Sequence, residues 1–192
     1  MGIKKVFSLS IFLLLGVSPF AFCQAPVPLT VANVIDGETL KLSNGEKVRL
    51  IGVDVPASSR NVKLRDDIKK TGKKAATLMM TGKIAAKFLR ELIHDRTVVL
   101  EYDTEEKERS GRRWAYVYFY LDPRVNMEIP EGWYAELVPE AKERQLRVFL
   151  NATLIREGYA SAKIILPNVK YQELFSKLQE EAKAQKRGLW AE

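Results

Sequence analysis

Three short apolar runs, separated by two tight-turn dipeptides, follow one another within about 25 residues, and they limit the fold of this chain more than any other feature. Residues 29–35 are rich in β-branched side chains and end at Asp36-Gly37. Residues 38–42 alternate apolar and polar and end at Asn44-Gly45, a hairpin signal because both turn positions tolerate positive φ. Residues 47–53 again have strand character, so the segment predicts a three-stranded meander.

Residues 57–71 are polar, crowded with Lys63, Arg65, Asp66, Asp67, Lys69 and Lys70, and read as an exposed loop or a frayed helix start. Residues 72–94 carry Ala75, Leu78, Met79, Ala85, Phe88, Leu89 and Leu92 at the spacing of one helical face. A fourth strand is predicted over 97–102, a charged loop over 103–110, and a fifth strand over 113–121. On that strand Trp114, Tyr116, Tyr118 and Tyr120 alternate, the pattern of a buried strand face or, alternatively, of a platform on which bases stack. Residues 123–145 are interrupted by Pro130, Gly132 and Pro139 and read as an insertion presenting Trp133 and Tyr134. Helices are predicted over 147–157, stopping at Gly158, and over 171–186, stopping at Gly188 before Trp190. Five short strands with a helix between the third and fourth give an α+β fold: a five-stranded OB-fold β-barrel with three α-helices.

The N-terminus points to export. Lys4 and Lys5 precede an apolar run that continues to Phe22, followed by Cys23 and polar Gln24. That order predicts a signal peptide over 1–23, leaving residues 24–192 as one domain with insertions at about 58–71 and 123–145, in a secreted or periplasmic protein. A lipid anchor on Cys23 is disfavoured, because Phe22 is bulky where a small residue is wanted. Cys23 is the only cysteine and His94 the only histidine, which excludes disulfides, a cysteine nucleophile, a Ser-His-Asp triad and Cys- or His-rich zinc sites. Without Lys4 and Lys5 the chain keeps 29 basic against 24 acidic residues, a balance compatible with a polyanionic partner.

Four segments carry a resemblance to the thermonuclease (staphylococcal-nuclease-like) family. Ile35-Asp36-Gly37-Glu38-Thr39 is similar to the family's Ile-Asp-Gly-Asp-Thr. The run from Val48 through Arg49, Leu50, Val53, Asp54 and Val55 to Pro56 is similar to its Arg-Leu and Val-Asp-Thr-Pro-Glu segment. Ser110-Gly111-Arg112, followed by Ala115-Tyr116, matches its Tyr-Gly-Arg and Ala-Tyr. Pro167-Asn168 and the closing Lys186, Gly188, Leu189 and Trp190 match its C-terminal end, so the likeness extends from about Val31 to Trp190.

The resemblance implies a Ca²⁺-dependent phosphodiesterase (a hydrolase of ester bonds) acting on DNA or RNA, with single strands preferred, and leaving fragments that end in 3′-phosphates. It places the cation between Glu38 and Asp54, with the Val55 carbonyl as a further ligand, and puts Arg49 and Arg112 on the scissile phosphate. Planar guanidinium forks suit phosphate oxygens, and a hard cation suits oxygen ligands. It implies a monomer without a stable membrane span. One position departs: the family's general-base Glu is here Ala57, which cannot accept a proton. Asp66, Asp67 and Glu38 are the carboxylates that could fill that role. The alternative reading is a catalytically inactive OB-fold module that binds nucleic acid or protein.

Overall fold

The computed structural model describes residues 29–121, 129–138 and 146–191. The leader and Cys23 therefore lie outside the described residues, as do parts of the 123–145 insertion.

The meander forms as expected: β1 (Leu29–Asp36), β2 (Thr39–Leu42) and β3 (Lys47–Leu50) are successive antiparallel neighbours. β4 (Val53–Asp54) is a separate two-residue strand, because the chain reverses at Gly52 before it. Gly52 has φ +75°, and a Cβ there would lie 2.4 Å from the Phe175 ring, so only glycine fits the turn. Of the two readings of residues 57–71, the helical one holds from residue 62. This is α1 (Val62–Thr71), capped by Asn61 accepting the Leu64 N–H and ended by Gly72.

α2 (Ala75–Ile93) follows, burying Leu78, Ala85, Leu89 and Leu92, and leads to β5 (Thr97–Glu101) and β6 (Arg113–Tyr120). β5 pairs with β1 and β6, and β6 pairs in parallel with β3, which closes a five-stranded barrel of β1, β2, β3, β5 and β6. The aromatic stripe is mainly core: Trp114, Tyr116 and Tyr118 are buried and only Tyr120 is exposed.

Two expectations fail. The helix predicted from 147 begins as a strand, since β7 (Ala135–Leu137) and β8 (Leu146–Phe149) extend the sheet beyond β6, and α3 (Leu150–Arg156) starts only afterwards. Trp133 and Tyr134 are not a presented patch. Both are half-buried and pack edge-on against Phe119 and Phe149. After β9 (Ser161–Ala162), which pairs with β4, come α4 (Gln172–Ala184) and a 3₁₀ turn at Gly188–Trp190. The described residues thus hold four α-helices rather than three, the extra one being α1. None of them is long and apolar enough to cross a membrane.

Candidate active site

The site forms where the β1–β2 turn meets the chain between β3 and α1. At the turn the Glu38 N–H donates to Asp36 Oδ1 at 2.9 Å, which directs the Glu38 side chain inward, where it is buried. Glu38 Oε2 accepts the Val55 N–H at 3.1 Å, while Oε1 is shared by Arg49 Nη2 at 2.7 Å and Lys63 Nζ at 3.3 Å. Asp54, set by the β4–β9 pairing opposite Ser161, gives Oδ1 to Lys63 Nζ at 2.5 Å and Oδ2 to Lys70 Nζ at 3.1 Å. One ammonium, that of Lys63, therefore bridges the two carboxylates.

These contacts show in the proton affinities. Burial alone would raise the Asp54 carboxyl, but the hydrogen bond and charge of Lys63, helped by Lys163 and Lys70, hold it below its ordinary value. Burial would likewise lower the Lys63 ammonium, yet the charges of Glu38, Asp54 and Asp67 hold it above its ordinary value.

The two arginines come from different routes to one region. Arg49 stands on β3 beside Trp114 of β6, its guanidinium carbon 5.6 Å from the indole centroid. Its Nε is buried and has no hydrogen-bond partner, a donor left over in a site built around charge. Arg112 leaves a tight turn in which the Gly111 N–H donates to the Glu108 carbonyl and the Glu108 N–H to the Arg112 carbonyl, both at 2.8 Å. Arg112 Nε donates to Glu108 Oε2 at 2.5 Å. Burial would raise the Glu108 carboxyl, but hydrogen bonds from Arg112 and Ser110 and the charges of Arg112 and Arg49 keep it below its ordinary value. Asn168 holds this loop in place: its Oδ1 accepts the Glu105 N–H and its Nδ2 donates to the Glu105 carbonyl, each at 2.8 Å.

At the departing position, the Ala57 N–H donates to Asp67 Oδ2 at 2.9 Å. Of the two inserted carboxylates, α1 brings Asp67 to position 57 and leaves Asp66 exposed. A cavity of about 240 Å³ opens here, lined by Glu38, Val55, Ala57, Ser58, Ser59 and Lys63. A second, of about 390 Å³, lies on the other side, against Asp54, Asp67, Lys70 and Trp190.

The residues do not fit the calcium ion that the resemblance implies. Ca²⁺ takes six to eight oxygen ligands. All four carboxylate oxygens of Glu38 and Asp54 already accept from Arg49, Lys63, Lys70 or the Val55 N–H. Two negative groups face three positive ones, and it is the Val55 N–H that is turned to Glu38. A unit positive charge about 4 Å from the ammonium is opposed by about 4 kcal/mol at an effective dielectric of about 20, and a divalent ion by about twice that. Among the described residues no group of three or more His, Cys, Asp or Glu side chains is arranged to hold a metal.

Sequence reasoning named Glu38, Arg49, Asp54, Val55 and Arg112 but passed over Lys63 and Lys70, which stood within a charge run. The signal was present: Lys63, Asp67 and Lys70 lie at i, i+4 and i+7, one face of a helix whose start Asn61 marks. Glu108 had no signal beyond its residue type, whereas the clamp residue Asn168 stood in the Pro167-Asn168 segment without a role assigned to it.

Comparison with known proteins shows the family. The family described as "Staphylococcal nuclease homologue" matches residues 47–192. The thermonuclease of Staphylococcus hyicus is 31% identical over 164 residues, which cover 84% of this chain and 74% of that protein. The thermonuclease of Staphylococcus intermedius is 31% identical over 163 residues, 83% of this chain and 74% of that protein. The endonuclease YncB of Bacillus subtilis is 29% identical over 170 residues, 86% of this chain and 62% of that protein. The chain belongs to the staphylococcal nuclease homologue family.

Proposed function

We propose that this protein is a phosphodiesterase that hydrolyses DNA or RNA at the site between Glu38, Arg49 and Arg112. The observation that carries this reading is the Arg49 guanidinium, paired with buried Glu38 at 2.7 Å and keeping a buried, unpartnered Nε, with Arg112 as the second guanidinium. A phosphate diester in their field receives several charge-assisted hydrogen bonds, and these strengthen as negative charge builds on its oxygens. Water attacks phosphorus, the new P–O bond forms as the bond to the leaving alkoxide breaks, and the proton lost by water ends on that alkoxide. Asp67 holds the Ala57 N–H but lines the cavity on the other side, so it is not assigned to the attacking water. The buried pair of Glu38 and Arg49 orients the substrate, and no step depends on a bound ion.

The leader over 1–23 supports an exported protein, and the folded domain is taken to act as a monomer on single strands. The test is cleavage of a single-stranded oligonucleotide by the purified domain beside its Arg49→Ala and Arg112→Ala variants. Loss of cleavage in both arginine variants with folding retained supports the reading. Undiminished cleavage in either one overturns it, and absence of cleavage in the parent with salt-dependent binding retained selects the inactive binding module instead.

A further inference from the structure

We infer that Lys63 is the resident cation of this site: its ammonium stands between Glu38 and Asp54 in place of a divalent metal, so that the site handles phosphate without one. This rests on the phosphodiesterase reading above and concerns what supplies its positive charge.

Three observations meet at this lysine. Its Nζ lies 3.3 Å from Glu38 Oε1 and 2.5 Å from Asp54 Oδ1, the only point in the described site that touches both carboxylates. It is delivered by a rigid element rather than a loop, since α1 is capped by Asn61, buries Leu64 against Leu78 and Ala57, and is tied to position 57 by Asp67. It also lines the cavity that Ser58, Ser59 and Glu38 share, with its side chain 30% exposed.

An ammonium has three donors. Two are taken by the carboxylates, and the third is available to an oxygen of a phosphate entering that cavity. Lysine is a compact point charge on a flexible stem, suited to neutralising a phosphate where a guanidinium fork supplies the directional bonds. The carboxylates, in turn, keep the ammonium charged and aimed. The Val55 N–H and Lys70 take the remaining oxygens, Glu38 Oε2 and Asp54 Oδ2, and Arg49 shares Oε1, so no ligand set remains for a second cation. The insertion that carries α1 thus brings its own charge into the place where the family resemblance implied an ion.

The experiment is a calorimetric titration of CaCl₂ into the folded domain and into its Lys63→Met variant, with Lys63→Gln as a second variant should the first fail to fold. The parent is expected to show no saturable Ca²⁺ binding up to the millimolar range, where weak extracellular Ca²⁺ modules bind. Removal of the ammonium is expected to create one Ca²⁺ site, abolished again when Asp54→Asn is added. Equal Ca²⁺ affinity in parent and variant overturns the inference, and so does failure of the variant to gain a site.

A second arm measures oligonucleotide cleavage in EDTA and in Ca²⁺. Cleavage by the parent is expected to resist EDTA, whereas that of Lys63→Met is expected to fall at least tenfold in EDTA and to recover with Ca²⁺. Cleavage by the parent that requires Ca²⁺ overturns the inference. If no form cleaves at all, the phosphodiesterase reading fails, while the titration still decides whether Lys63 holds the cation position.

Discussion

Asn151 offers the sharpest test of how the barrel holds the site together. It lies on α3, is wholly buried, and uses its side chain three times: Oδ1 accepts the Val117 N–H at 2.9 Å, and Nδ2 donates to the Ile51 carbonyl at 2.8 Å and to the Ala115 carbonyl at 3.4 Å. These bonds join the end of β3 to β6, the parallel seam that sets Arg49 beside the strand following Arg112. Asn151→Ala strands at least one buried N–H and one buried carbonyl, each costing about 1–3 kcal/mol when unsatisfied, and adds a small cavity. The weaker contact to Ala115 adds little, so the sum is about 3–5 kcal/mol, a large part of the roughly 5–15 kcal/mol typical of a domain. Urea denaturation followed by tryptophan fluorescence and by circular dichroism is the assay, with the slope m compared between parent and variant. A loss below about 1 kcal/mol at unchanged m would refute the claim that this side chain pins the seam, because two stranded polar groups cannot cost so little. Asn151→Asp should be no better, since it replaces the donor to the Ile51 carbonyl with a second acceptor.

Gly82→Ala tests the support behind position 57: a Cβ on α2 there would stand 2.3 Å from the Pro56 carbonyl oxygen and 2.9 Å from the Ala57 carbonyl carbon. Overpacking of about 1–3 kcal/mol should exceed the gain of about 1 kcal/mol in helix propensity, lowering the melting temperature and cleavage together; a stabilised, fully active variant would contradict the contact. Glu108→Gln removes the carboxylate that competes with phosphate for Arg112, so oligonucleotide binding at low salt should tighten several-fold, as measured by fluorescence anisotropy. Unchanged or weaker binding would show that Glu108 positions Arg112 more than it competes for it. The pairing of Lys63 with Asp54 also predicts a pH window. Asp54 is depressed, so its contribution is present above the unfolded carboxyl value of about 3.9 and is lost as pH falls through its lower folded value. Lys63 is raised, so its contribution is present below about 10.4 and is lost as pH rises through its higher folded value. The stability difference between parent and Lys63→Met should therefore be flat from about pH 5 to about pH 9 and shrink outside that range; a difference that drifts across the middle would refute the assignment.

The sequence by itself determined the barrel, because local rules act there. Turn dipeptides and alternating apolar runs fix strands and register over a few residues, and the helical face of α2 shows its period openly. It also singled out Glu38, Arg49, Asp54 and Arg112, since each stands in a short motif, and the structure brings the first three together around Lys63. Two elements escaped because their character depends on distant partners. Residues 146–149 become a strand only because β6 and β7 lie on either side, and Trp133 and Tyr134 are covered only once Phe119 and Phe149 are in place. Only the tertiary structure decided what stands between the two carboxylates. Lys63 sits in the first turn of a helix that could be read from Asn61 and Gly72, but its ammonium reaches Glu38, 25 positions earlier, through the packing of α1 on α2. Charge complementarity of that kind leaves no periodic trace in a sequence: it is set by distances of a few ångströms between segments that the chain brings together only when folded.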